Sequence, residues 1–165
     1  MLPAADEAEM VNYIWVFLIS MVPIVELRGA IPVGVGMGLD LVPLYIVCII
    51  GNMLPVPFIY LFARKVLNWG KDKKYIGKWF TWMLGKGEKA GQKIQGKRGV
   101  GVFLGLLLFV GIPLPGTGAW TGTLAASILD LDFKKSTIAT MGGVLLAGII
   151  MALVSAGVFG TISLF

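Results

Sequence analysis

Between Leu41 and Ala63 the chain runs 23 residues without a charged side chain, and from Ser136 to Phe165 it does so for 30. Each run exceeds the ~20 apolar residues that an α-helix needs to cross a ~30 Å hydrocarbon core. Backbone polar groups have no water to bond inside a bilayer, so segments of this kind must satisfy them internally as helices. The composition agrees, with 57% hydrophobic and 14% charged residues, against roughly 25% charged in soluble domains. The sequence predicts an all-α integral membrane protein built as a single membrane domain.

The segment before each span is broken near its centre. Met10 to Leu39 is 30 residues long and interrupted around "VPIVELRGAIPV", Val22 to Val33. Val100 to Leu129 is also 30 residues long and interrupted by "GIPLPGTGAW", Gly111 to Trp120. Of 14 Lys and Arg, 11 fall between Arg64 and Arg98, and two more are Lys134 and Lys135. If each broken segment crossed once, these basic stretches would face opposite sides. If each enters halfway and returns, they share one side, as the bias of Lys and Arg toward cytoplasmic loops favours. A helix of ten residues covers ~15 Å, half the hydrocarbon, which suits the return arms Ala30–Leu39 and Trp120–Leu129.

An internal repeat points the same way. At an offset of 90, Pro23 falls on Pro113 and Leu39–Asp40–Leu41 falls on Leu129–Asp130–Leu131. The expectation is two inverted repeats, 1–63 and 100–165, each a re-entrant helical hairpin followed by a transmembrane helix. Both termini then lie outside and the linker 64–99 is cytoplasmic. In "KYIGKWFTWMLGKGEK", Ile76, Trp79, Phe80 and Met83 recur at helical spacing with Lys74, Lys78 and Lys86 elsewhere. That pattern reads as a basic amphipathic helix in the headgroup plane, on anionic lipid and not on nucleic acid. Small-residue faces such as Gly142, Gly143, Ala147 and Gly148 can pack helices within one chain or between two, and a homodimer is the expected assembly.

Glu26 and Arg28 stand inside an apolar run, where an ionisable residue costs about 2.5–3.5 kcal/mol to insert and marks a functional site. Pro23 and Pro32 bracket them, and Gly29 adds backbone freedom. In extended chain, residues two apart share a face, so the expected arrangement is a Glu26–Arg28 pair lining a wet cavity. The second break offers amides freed by Gly116 and Gly118 and the hydroxyl of Thr117, beside Pro113 and Pro115. Half-helix amino termini there favour anions. Glu26, Arg28, Gly29, Pro32, Pro113, Pro115, Gly116, Thr117 and Gly118 form the candidate substrate or ion site. With no His, a single Cys (Cys48) and no acidic cluster, neither a metal, a cofactor nor an enzymatic activity is expected.

"PIVELRGAIPVGVGMGL" and "GIPLPGTGAWTGTLAA" resemble the signature segments of the prokaryotic small multidrug export protein family. That family is similar in layout to the DedA superfamily, whose members carry two re-entrant loops and translocate lipids such as undecaprenyl phosphate. DedA proteins have arginines in the second loop, where this chain has Gly116, Thr117 and Gly118. The resemblance implies a multi-pass transporter of the prokaryotic plasma membrane, with Glu26 and Arg28 in the charged first loop. The leading expectation is movement of an anionic, phosphate-bearing lipid, a phospholipid or polyprenyl phosphate, with Glu26 as counter-ion and proton carrier. The alternative is a proton-coupled exporter of small hydrophobic cationic drugs.

Overall fold

A computed structural model describes residues 3–70, 77–78, 81–82, 85, 89, 100–129 and 131–162, all but the turns and breaks in helix and none in a strand. The long helices are α1 (Pro3–Met21), α2 (Glu26–Gly36), α3 (Leu41–Met53), α4 (Val56–Gly70), α5 (Val100–Gly111), α6 (Ala119–Ile128) and α7 (Phe133–Ile162). Leu41–Phe62, 22 residues, and Phe133–Val158, 26 residues, are long and apolar enough to cross a membrane. Val42, Phe58 and Leu153 are among many large apolar side chains left exposed, a surface suited to lipid and not to water. Among the described residues the protein is all-helical, with two helical segments long and apolar enough to cross a membrane. The linker pattern at Lys74, Ile76, Trp79, Phe80, Met83 and Lys86 lies outside the described residues; Gly77, Lys78, Thr81 and Trp82, within it, are helical.

Several boundaries differ from expectation for local reasons. Helix α1 begins at Pro3, ahead of the apolar segment from Met10, because Pro suits the first helical position and Glu7 and Glu9 favour the positive end of the helix dipole. The Leu41–Phe62 span is made of α3 and α4, joined by a turn at Leu54 and Pro55. Pro55 and Pro57 have no N–H to continue the ladder, so the carbonyls of Gly51 and Met53 lose their donors four residues on. Helix α7 starts at Phe133, ahead of Lys134 and Lys135, because Asp132 caps it: the Lys135 amide donates to Asp132 Oδ1 at 2.8 Å.

Packing runs through small residues. Helix α5 lies along α7, where Gly143 meets the Leu107 carbonyl and the Val110 side chain. Gly148 faces the Tyr45 ring and Ala147 is buried, so this small-residue face is used inside the chain. Helix α6 is buried on nearly every side, against α4 and α7. Its Gly122, Ala125, Ala126 and Ser127 let the neighbours approach closely. Around them sit Val16, Leu27, Ile31, Leu44, Cys48, Leu106, Val110 and Val144.

Candidate functional site

The two breaks meet. The first is the turn Val22–Val25, in which Ile24 (φ 77°) and the following Glu26 (φ 53°) hold left-handed backbone. Such positions cost about 1–3 kcal/mol each and persist where surrounding structure fixes them. Glu26 then opens α2, so Glu26 and Arg28 belong to a helical first turn and not to extended chain. Two helical positions are about 200° apart around the axis. The direct Glu26–Arg28 pair expected from extended geometry therefore does not form, and the two side chains leave α2 in different directions.

Each finds its partner on the second break. Arg28 Nη1 donates to the Thr117 carbonyl at 2.6 Å, the Thr117 hydroxyl at 2.8 Å and the Leu114 carbonyl at 3.1 Å. Its Nη2 donates to the Val110 carbonyl at 2.6 Å and the Ile112 carbonyl at 3.4 Å. Val110 lies in the last turn of α5 and the other three acceptor residues lie in the break that follows it, so the guanidinium also complements the negative end of the helix dipole. Glu26 does the converse. Its Oε2 accepts from the Ala119 amide at 3.1 Å and its Oε1 from the Trp120 amide at 2.9 Å, capping the start of α6. The carboxylate is 3% exposed.

Trp120 adds a third bond between the halves, donating its indole N–H to the Met21 carbonyl at the end of α1, 3.1 Å. Nothing in the spacing of the sequence singled out Trp120, although its place directly after the second break is a signal that such a tie could use. Thr117 is held by its own hydroxyl, which donates to Ile112 and Leu114 carbonyls at 3.0 and 2.9 Å. Gly118 (φ 142°) passes directly under the Glu26 carboxylate.

Beside this junction lies a cavity of about 260 Å³, lined by Glu26, Pro23, Ile24, Trp120, Thr121 and Trp82 together with the 115–117 turn. Pro115, Gly116 and Thr117 line the cavity. Arg28 and Gly118 act behind its wall. Gly29, Pro32 and Pro113 shape the backbone and do not line it: Gly29 is pressed against Val25, and Pro32 sits within α2. Among the described lining residues Glu26 carries the single ionisable group, and Trp82 and Trp120 line the same cavity. Among the described residues no group of three or more acidic, Cys or His side chains could hold a metal.

A family described as "Putative small multi-drug export protein" matches residues 26–150, beginning at the carboxylate of this site and ending within α7. No curated protein and no solved structure matches the chain.

Proposed function

The chain belongs to the small multidrug export protein family, and from that premise we propose that it is a membrane transporter that exports small hydrophobic cations in exchange for protons at Glu26. One observation carries the reading. The groups that could have formed an anion receptor are already engaged: Arg28 by the carbonyls of the second break, and the α6 amides by Glu26. What lines the cavity is Glu26, together with Trp82 and Trp120. Aromatic faces attract cations, by about 0.5–2 kcal/mol depending on desolvation, and a buried carboxylate supplies the matching charge. The cavity sits just below the ~300–1,000 Å³ of drug-sized pockets, which suits a small cargo.

In this mechanism one carboxylate serves two exclusive partners. With the cation bound, Glu26 is ionised and holds the start of α6. When the cation leaves, a proton takes its place and the amide bonds to Ala119 and Trp120 weaken, which loosens the junction between the two breaks. The same junction supports re-entrant arms in an inverted repeat. Both return arms begin there, and both end alike, with Leu39 donating to the Gly34 carbonyl and Leu131 to the Ala126 carbonyl, each at 3.0 Å. The basic linker then faces the cytoplasm of a prokaryotic cell and both termini face outward, with two copies enclosing the path. Movement of a phosphate-bearing lipid would require Arg28 to leave the carbonyls it now bonds.

The test is binding of cationic and anionic amphiphiles of equal chain length to the purified protein at low salt. Cationic ligands should bind and Glu26→Gln should abolish their binding. Preferential binding of the anionic series, lost in Arg28→Gln, would replace this reading with the lipid-phosphate one.

A further inference from the structure

Five described residues carry buried side-chain polar atoms without a hydrogen-bond partner: Asn52, Thr123, Thr137, Thr140 and Ser155. Four of them fall in one slab of the protein. Gly34 packs against Leu44 in the antiparallel pair α2–α3. Eight residues back along α2 and eight forward along α3 from that contact, Glu26 and Asn52 lie level, about 12 Å deeper. Tyr45 donates to the Leu145 carbonyl at 2.8 Å and Tyr60 donates to the Leu131 carbonyl. The two bonds set α3–α4 antiparallel to α7, and Asn52 falls level with Ile138, within a turn of Thr137 and Thr140. Thr123 lies on α6 between Ala119, which bonds Glu26, and Ser127, which donates to the Tyr60 carbonyl at 2.6 Å.

Asn52, Thr137 and Thr140 therefore lie at about the depth of Glu26, with Thr123 about 6 Å and Lys135 about 4.5 Å toward the end of the molecule that carries Lys134 and Lys135. At that end a second cavity, about 210 Å³, opens between α5 and α7 at Asp132, Lys135 and Ser136. A threonine hydroxyl can turn back to the carbonyl four residues earlier. The carboxamide of Asn52 has no such recourse, being fully buried with both its nitrogen and its oxygen unpaired. An unpaired buried polar group is destabilising, and Asn52 sits where Pro55 and Pro57 also leave carbonyls without donors. Both donors and acceptors need partners here, and the set contains no carboxylate to neutralise an ion. Water is the ligand that meets both needs.

We propose that Asn52, Thr140, Thr137 and Thr123 hold a chain of water molecules that carries protons between the Lys135 end of the protein and Glu26. A proton taken up by the outermost water displaces one along the chain, and the innermost water passes its proton to a Glu26 oxygen, so the chain itself is unchanged. The inference rests on proton exchange at Glu26, and its test separates the two ideas. Wild type and Asn52→Leu are reconstituted in vesicles. Export of a cationic amphiphile driven by a pH gradient is compared with one-for-one exchange of labelled for unlabelled amphiphile, which needs no proton. Asn52→Leu and Thr140→Val should each slow gradient-driven export at least tenfold while leaving exchange and binding within twofold, and Ser155→Ala should change neither. Hydroxyl-radical labelling of Met53, next to Asn52, should be measurable in wild type and suppressed in Asn52→Leu. Full gradient-driven export in both variants, or an unlabelled Met53 in wild type, overturns the water chain. Absence of any cation transport by wild type, with Met53 labelled, overturns the exporter reading and leaves the hydrated path standing.

Discussion

A β-carbon on Gly118 would lie 2.3 Å from Glu26 Oε2 and 2.7 Å from Oε1. The second break can therefore receive the carboxylate of the first only because residue 118 has no side chain. Its φ of 142° is also closed to most L residues. Gly118→Ala should push Glu26 off the Ala119 and Trp120 amides and strain the turn. The expected result is a loss of about 1–3 kcal/mol of stability together with transport, read by thermal unfolding in detergent and by vesicle flux. A variant with wild-type stability would show that the carboxylate is not held as described.

Arg28 spans the α5 end because its fork reaches Val110 with one nitrogen and Thr117 with the other. Lysine carries one point of charge and cannot reproduce that geometry. Arg28→Lys should lower stability by about 1.5–3 kcal/mol, the worth of hydrogen bonds to a charged group, and Arg28→Gln by more. Neither substitution should strengthen binding of anionic amphiphiles. Thermal melts and ligand titration of the two variants check both statements.

Trp120 has separable roles in its main chain and side chain, since its amide bonds Glu26 while its indole bonds Met21. Trp120→Phe keeps an aromatic face on the cavity and removes the indole donor. Stability should fall by about 1 kcal/mol, while affinity for a cationic amphiphile should change less than in Trp120→Ala. Equal losses in the two variants would remove the ring from the binding argument.

Topology can be read with single cysteines in a Cys48→Ser background. Glu7→Cys at the start of α1 and Val158→Cys near the end of α7 should react with an impermeant thiol reagent in intact cells. Lys78→Cys in the basic segment should react only after lysis. Labelling of Val158→Cys only after lysis would rule out paired re-entrant arms.

Much of the fold was legible in the sequence because it depends on local chemistry. The two charge-free runs marked where the chain can cross a membrane. Pro23 and Pro113 marked the two breaks, since a residue without an N–H interrupts a helix wherever it lands. An ionisable residue inside an apolar segment likewise singled out Glu26 and Arg28 before any contact was known.

What the sequence left open was the partner of each charge. Read locally, Glu26 and Arg28 pair with one another and the second break offers free amides to an anion. In the folded protein Arg28 bonds a carbonyl 82 residues away and Glu26 an amide 94 residues away. Every residue has an amide and a carbonyl, so these partners leave no mark in the sequence. Only the docking of one break against the other decides which of them are consumed, and so leaves Glu26, not Arg28, lining the cavity.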